Sequence, residues 1–479
     1  MINDKVRTRF APSPTGYMHI GNLRTALYAY LFAKANGGDF ILRIEDTDQS
    51  REVEGAVEVI YDTLKDTGLQ HDEGPDVGGP YGSYVQSERK AIYQEYAKKL
   101  VELGGAYYCF CKSEDLHSEL GEQGNMRYDK RCLRLPKEEV EARLARGDSY
   151  VIRQNIPLEG SSTYTDLVFG DITVDFRDLD DNILIKSDGF PTYNFANVID
   201  DHLMKITHVI RGAEYLSSTP KYNLLYEAFG WEHPQYIHLP LIMKDEHQKL
   251  SKRNGDASYE DLIKKGFVKD AIINYIALLG WSPKDNEEKL SLEQLKEKFN
   301  IEGISKSQSI FDEPKLKWLN GLYLKEMDEE GFFKLAEPFI CESKAAKYDH
   351  RKIAKLLQPR IEILSEIPEK IDFLAEFSKI DPALYFNKKQ KIDENQAREM
   401  LPIIYDTLKD IDFTEENIHN VLMGLVEKLQ VKIGAVMWPA RIAITNKEVT
   451  PGGMVELATI IGKEETLNRL QQAMEWLKE

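Results

Sequence analysis

The first 50 residues read as strand, loop, helix and strand, and that order leaves few folds open. Val6, Thr8 and Phe10 alternate through a short strand-like run. A loop rich in Pro, Ser and Gly follows, Ala11-Pro12-Ser13-Pro14-Thr15-Gly16. Leu23, Ala26, Leu27, Tyr30 and Leu31 then recur at helical spacing and predict one apolar stripe. Gly37-Gly38 closes the helix, as C-terminal glycines do. Phe40 to Ile44 reads as a second strand that runs into the acidic segment Glu45-Asp46-Thr47-Asp48. A strand–helix–strand opening predicts a parallel, doubly wound α/β sheet of the Rossmann type, which binds ligands beyond the carboxyl ends of its strands.

Residues 85–198 read as an insertion into that pattern. They hold a Tyr/Cys-rich patch (Tyr107-Tyr108-Cys109-Phe110-Cys111), a charged helix near 137–146 and β-like segments near 150–186, an α+β composition. The α/β pattern resumes at Thr207-His208-Val209-Ile210-Arg211, and the apolar run Tyr236 to Met243 leads to the basic loop Lys249-Leu250-Ser251-Lys252-Arg253. Beyond residue 257 the periodicity is nearly all helical. The expected organisation is a catalytic domain of 1–84 with 199–247, an insert of 85–198, a connecting domain of 248–327, and an all-α region of 328–479.

A chain of 479 residues exceeds what one core accommodates, so several domains are expected. Apolar and charged fractions of 42% and 30% fit an ordinary soluble protein. No apolar run of 18 residues occurs, so no membrane span is expected, and the first residues lack the apolar core of a signal peptide. Four cysteines do not make a disulfide framework, and the expected setting is the reduced cytoplasm. The net charge of −18 weighs against a nucleic-acid partner, because phosphates attract basic surface. Binding depends on local patches, however, and basic runs occur at His350-Arg351-Lys352 with Lys355 and Arg360, and at Lys388-Lys389-Gln390-Lys391. Composition leaves that question undecided.

Two segments carry chemistry. The loop Pro12 to Asn22 joins the first strand to the first helix, where backbone N–H groups favour anions. Gly21 admits close backbone approach, and His19 can donate to a phosphate oxygen as charge develops. A lone histidine there is more often a satisfied turn residue. Some 230 residues later, three cations in five residues with a downstream Gly255 suit a loop over a triphosphate, although a KxSKR run is by itself most simply a solvated surface loop. Together, His19-Ile20-Gly21-Asn22 and Lys249-Leu250-Ser251-Lys252-Arg253 resemble the paired signatures of the class I aminoacyl-tRNA synthetases. Asn22 and Arg253 depart from the commonest forms of those signatures in the manner of the glutamyl-specific branch. Arg9 to Gly16, Leu42 to Asp48, Asp188 to Asn197 and His208 to Tyr215 also resemble that branch and its glutaminyl relatives.

That resemblance implies an enzyme that activates L-glutamate with ATP and Mg²⁺ and transfers it through a glutamyl adenylate to the 2′-hydroxyl of tRNA(Glu), with activation itself requiring bound tRNA. Whether tRNA(Gln) is also charged stays open. A monomer is the family expectation. The resemblance implies that His19 and Lys252, with Lys249 assisting, stabilise developing phosphate charge, and that Gly21, Asn22, Glu214 and Ser251 join them around ATP. Selecting glutamate over glutamine calls for a fixed cation, and arginine offers two-pronged carboxylate recognition. By resemblance Arg9 and Arg211 contact the substrate carboxylates, Glu45 takes the ammonium, and Ser13, Tyr193 and Asn197 complete the pocket. The insert would bind the acceptor end, residues 248–327 the stem, and the all-helical tail the anticodon.

Some bacterial relatives hold zinc in the insert with a Cys-x-Cys and a later Cys-x-His. Here Cys109 and Cys111 match, but Cys132-Leu133-Arg134 ends in an arginine, which cannot ligate zinc. Tyr128 or Asp115 could substitute, yet three reduced thiols without metal are the expectation. Three other readings are weaker. A tRNA-modifying glutamyl transferase would lack the some 150 residues after Leu322, an inactive relative would lose His19, Lys252 or the arginines, and a small-molecule adenylate ligase would need neither insert nor tail.

Overall fold

The computed structural model describes residues 5–112, 118–120, 126–248, 250 and 258–478, and it divides into two compact units. The first comprises residues up to 263 with 269–312, and the second comprises 264–268 with 313–479. Among the described residues no helix is long and apolar enough to cross a membrane.

The elements of the first unit that build the site are, in chain order, β1 (Arg7–Phe10), α1 (Ile20–Ala35), β2 (Asp39–Leu42), α2 (Lys90–Glu102), β3 (Ala106–Cys109), β4 (Val151–Gln154), β5 (Ser161–Asp166), β6 (Gly170–Asp175), β7 (Ile183–Ile185), α3 (Tyr193–Leu203), β8 (His208–Gly212), α4 (Thr219–Phe229) and β9 (Gln235–Leu239). β1 pairs parallel with β2 from Arg7↔Asp39 to Phe10↔Leu42. On its other side β1 meets the start of β8, where Thr207 N–H donates to the Arg7 carbonyl at 3.0 Å. β8 pairs parallel with β9 from His208↔Gln235 to Gly212↔Leu239. The order β2-β1-β8-β9 is the parallel, doubly wound arrangement expected from the first 50 residues, with the direction of winding reversing between β1 and β8.

Two local expectations change in the folded chain. All four residues of β1 are buried, including Arg7 and Arg9, because layers cover both faces of the sheet. Likewise α1 does not carry a single stripe. Ile20, Leu23, Ala26, Leu27, Tyr28, Ala29, Leu31 and Ala33 are all buried, since the helix packs against β1 and β2 on one side and helices Lys269–Leu278 and Leu292–Lys298 on the other. It ends as predicted, with Gly37 at φ +62° just past the C-cap, a conformation that favours glycine.

Within the span read as an insert, β3, β4 and β7 form an antiparallel sheet, with a core shared by Tyr93, Ala97 and Leu100 of α2, Phe195 and Ile199 of α3, and Tyr222 and Leu225 of α4. The β5–β6 hairpin of the same span instead joins the edge of the parallel sheet, where Leu167 N–H donates to the Tyr236 carbonyl at 2.9 Å. That attachment brings Asp166 next to β9.

The second unit is helical, with helices that include Glu329–Glu342, His350–Leu357, Glu394–Leu408, Glu415–Leu429, Ile433–Thr445 and Lys463–Trp476. Its basic run at 350–360 is largely engaged. Arg351 pairs with Glu330 at 2.9 Å, Lys352 donates to the Thr459 carbonyl at 3.1 Å, and Arg360 pairs with Glu456 at 2.9 Å.

Candidate active site

A cleft of about 760 Å³ lies at the carboxyl ends of β1 and β8. Its walls carry Arg9, Ser13, His19, Gly21, Asn22, Glu45, Tyr193, Arg211 and Glu214, nine residues that the sequence nominates from four separate segments. Asn197 is not on the wall. Its side-chain amide donates to the Tyr193 carbonyl at 2.7 Å, one helical turn back, so the structure sets it behind Tyr193. Lys249, Ser251 and Lys252 lie outside the described residues, and Leu250 lines the cleft.

His19 is the N-cap of α1. Its Nδ1 accepts from Gly21 N–H at 3.0 Å, which requires the proton of the neutral ring to sit on Nε2. The ring is thereby fixed as a donor at the start of a helix of 16 residues, where the helix dipole also favours an anion.

Two arginines reach the cleft with opposite surroundings. Arg9 gives Nε to the buried carboxylate of Asp201 at 3.0 Å and one terminal nitrogen to the Ile210 carbonyl at 3.3 Å. Arg211, 6% exposed, makes no carboxylate contact among the described residues. Its partners are neutral: Nε donates to His238 Nε2 at 3.1 Å and a terminal nitrogen to Thr219 Oγ1 at 2.7 Å. The rings of Tyr222, Tyr215 and Tyr236 lie 4.7, 4.9 and 5.5 Å from its guanidinium carbon. A buried cation held by π faces and neutral acceptors is poised for an anion.

Glu45 sits at the far side of a buried charge network. Its carboxylate accepts from Arg43 at 3.0 Å, and Arg43 also pairs with Asp201 at 2.7 Å. Arg89 pairs with Asp200 at 2.8 Å, and Gln86 and Tyr93 donate to that same carboxylate. Burial pushes Glu45 up to about 7, against the pull of Arg43 and Arg9. Asp201 is held below the ordinary value although burial opposes this, because Arg9 and Arg43 both face it.

In the insert, the sulfurs of Cys109, Cys111 and Cys132 lie within 4.8 Å of one another. Tyr128 supplies a fourth donor, its hydroxyl 3.3 Å from Cys109 Sγ and 3.2 Å from Cys111 Sγ. Four donors around one ion at zinc distances stand roughly 3.5–4 Å apart, so the three sulfurs suit corners of a tetrahedral site, while the Tyr128 hydroxyl lies closer to them, at hydrogen-bonding distance. Of the two alternatives to Arg134, Tyr128 stands beside the sulfurs and Asp115 lies outside the described residues. Arg153 donates to Cys109 Sγ at 3.4 Å and lies over the Tyr128 ring, which offsets the negative charge of a thiolate cluster.

Sequence reading missed Asp166, Thr219, His238, Arg43 and Asp201. A signal for His238 existed: it is a polar residue inside the apolar run Tyr236 to Met243, and in the parallel register it stands directly opposite Arg211.

A doubly wound sheet whose switch-point cleft joins a helix-start histidine, a buried cation and a buried carboxylate has the architecture of a Rossmann-type ligand-binding domain. Comparison with known proteins agrees: residues 5–318 match the profile "tRNA synthetases class I (E and Q), catalytic domain", and 331–474 match "Anticodon binding domain". The chain is 58% identical to a glutamate–tRNA ligase of Clostridium botulinum strain Eklund 17B, with 100% of both chains covered. It is 57% identical to one of Clostridium tetani, covering 100% of this chain and 99% of that protein. A glutamate–tRNA ligase structure from Elizabethkingia meningosepticum, in complex with its amino acid, superposes with a TM-score of 0.87 at 37% identity over 98% of this chain and 99% of that one. The chain belongs to the glutamate–tRNA ligase family of class I aminoacyl-tRNA synthetases.

Proposed function

We propose that the chain joins L-glutamate to tRNA(Glu) in two steps, consuming ATP and releasing pyrophosphate and then AMP. The observation that carries the glutamate assignment is Arg211: a buried guanidinium whose described contacts are all neutral, on the wall of the cleft. A substrate carboxylate supplies the missing counter-charge, and a neutral glutamine amide does not. The structural neighbour with its amino acid bound supports a substrate of this class.

In the first step an α-carboxylate oxygen attacks the α-phosphorus of ATP and the bond to the bridging oxygen of pyrophosphate breaks. Glu45 receives the substrate ammonium, which holds the α-carboxylate in place. Arg9, with Nε committed to Asp201, offers its remaining terminal nitrogen to a carboxylate. His19 donates from Nε2 to phosphate oxygens as charge develops, beside the backbone N–H groups of Gly21 and Asn22. Lys252 and Lys249 act on the same charge, with Ser251 and Glu214 at the nucleotide. ATP carries Mg²⁺ on its phosphates, which spreads the charge of the leaving pyrophosphate. In the second step the 2′-hydroxyl of the terminal ribose attacks the adenylate carbonyl and AMP leaves. Residues 331–474 hold the anticodon arm. Cys109, Cys111, Tyr128 and Cys132 would hold a structural zinc that ties β3 to the turn at Arg131–Arg134.

Charging purified tRNA(Glu) and tRNA(Gln) separately with labelled glutamate tests this reading. Charging of tRNA(Glu) alone supports a discriminating enzyme, and charging of both makes tRNA(Gln) a second acceptor. Charging of neither by folded protein overturns the proposal.

A further inference from the structure

The contrast between the two cleft arginines has a structural origin in a residue of the β5–β6 hairpin. Asp166, at the end of β5, accepts from the backbone N–H groups of Val168 and Phe169 through one oxygen, at 2.9 and 2.8 Å. Its other oxygen accepts from His238 N–H at 3.0 Å and faces His238 Nδ1 at 2.7 Å. His238 is fully buried and stands opposite Arg211 in the β8–β9 register. Arginine Nε can only donate, so His238 Nε2 must accept and the ring proton must sit on Nδ1, toward Asp166. Burial holds the imidazole below its ordinary value and so neutral.

The chain Asp166–His238–Arg211 therefore ends in a neutral acceptor. A carboxylate in the place of His238 would satisfy the same Nε–H, as Asp201 does for Arg9, but it would also neutralise the cation. Imidazole fixes the direction of the guanidinium and leaves its charge for the substrate. Thr219 acts in the same sense, giving its own proton to the Tyr215 carbonyl at 2.7 Å and accepting from Arg211.

We propose that His238, locked in one tautomer by Asp166, is a positioning residue that sets the glutamate preference of the cleft by orienting Arg211 without compensating its charge. This rests on the reading of Arg211 as a contact of a substrate carboxylate. The test is aminoacylation of tRNA(Glu) by the full-length protein, with KM measured separately for glutamate and ATP, and with glutamine as competing amino acid. His238→Asp is expected to raise KM for glutamate by about tenfold or more, the weight of one buried hydrogen bond to a charged group, and to leave KM for ATP within about twofold. His238→Gln, whose amide oxygen reaches toward the place of Nε2, is expected to restore most of the glutamate KM. A merely structural role predicts that His238→Asp moves both KM values together, or that His238→Gln is as damaged as His238→Asp, and either result overturns the inference. Arg211→Ala separates the two failures. If it leaves KM for glutamate unchanged, the pocket reading falls; if it raises that KM while both His238 variants behave as wild type, only the role of His238 falls.

Discussion

Glu45, on the wall of a cleft that also carries Arg9 and Arg211, forms a buried ion pair with Arg43 at 3.0 Å. The pair does not keep Glu45 acidic. Burial dominates and pushes the carboxyl up to about 7. An ammonium is received well only by the ionised form. Because the folded value is raised to about 7, the carboxylate is essentially complete only about a pH unit above that and is lost as pH falls through it. The KM for glutamate is therefore expected to be flat above about pH 8 and to rise toward tenfold per pH unit well below 7. The KM for ATP should stay level across the same range. Glu45→Gln removes the dependence along with most of the affinity, and a profile in that variant parallel to wild type would assign the titration to another group.

Arg211→Gln removes the cation and keeps a polar side chain of similar reach. Loss of a buried charge partner costs on the order of 3 kcal/mol, about a hundredfold in affinity. The expected outcome is a rise of that size in KM for glutamate and little change for glutamine as competitor, measured by tRNA charging. Equal losses for glutamate and ATP would show that the substitution disturbs the whole cleft.

Metal content tests the cysteine cluster. Protein purified without chelators is expected to carry about one zinc ion per chain by elemental analysis. Tyr128→Phe keeps the ring that stacks on Tyr107 and underlies Arg153 but removes one donor oxygen. Zinc should then be released faster to a competing chelator, while Cys132→Ala should lower the zinc content itself. Wild-type protein without zinc, grown with zinc present, would leave the cluster as reduced thiols.

Much of the cleft was legible because the family resemblance marks short segments there: Arg9 and Arg211 lie near the carboxyl ends of β1 and β8, Ser13 and Glu45 lie just beyond β1 and β2, and His19 caps α1. What periodicity cannot carry is pairing at long range. The β5–β6 hairpin lies in a stretch that reads as part of an insert, and only the folded sheet edge brings Asp166 to His238. Alternation in Val6, Thr8 and Phe10 suggests one wet face, yet Arg7 and Arg9 are buried on the other, where Glu73 and Asp201 pair with them. Tyr128 stood in the sequence only as one alternative to Arg134, since the sequence gives spacing and the fold gives the 3.2 Å approach of its hydroxyl to Cys111.

His19 performs two separable tasks, and substitutions can divide them. As N-cap it accepts from Gly21 N–H through Nδ1, and as part of the cleft wall it presents a protonated Nε2. Asparagine is a favoured N-cap whose side-chain oxygen takes the place of Nδ1, but nothing in it replaces Nε2. His19→Asn is therefore expected to keep the melting temperature within a degree or two while lowering kcat for charging by about a hundredfold, the usual weight of one donor to a developing negative charge. His19→Ala loses both tasks, with the same fall in kcat and about 1 kcal/mol less stability by denaturant titration. If His19→Asn retains wild-type kcat, the histidine serves the helix alone, and the developing charge must be met by the backbone of α1 and the basic loop that follows β9.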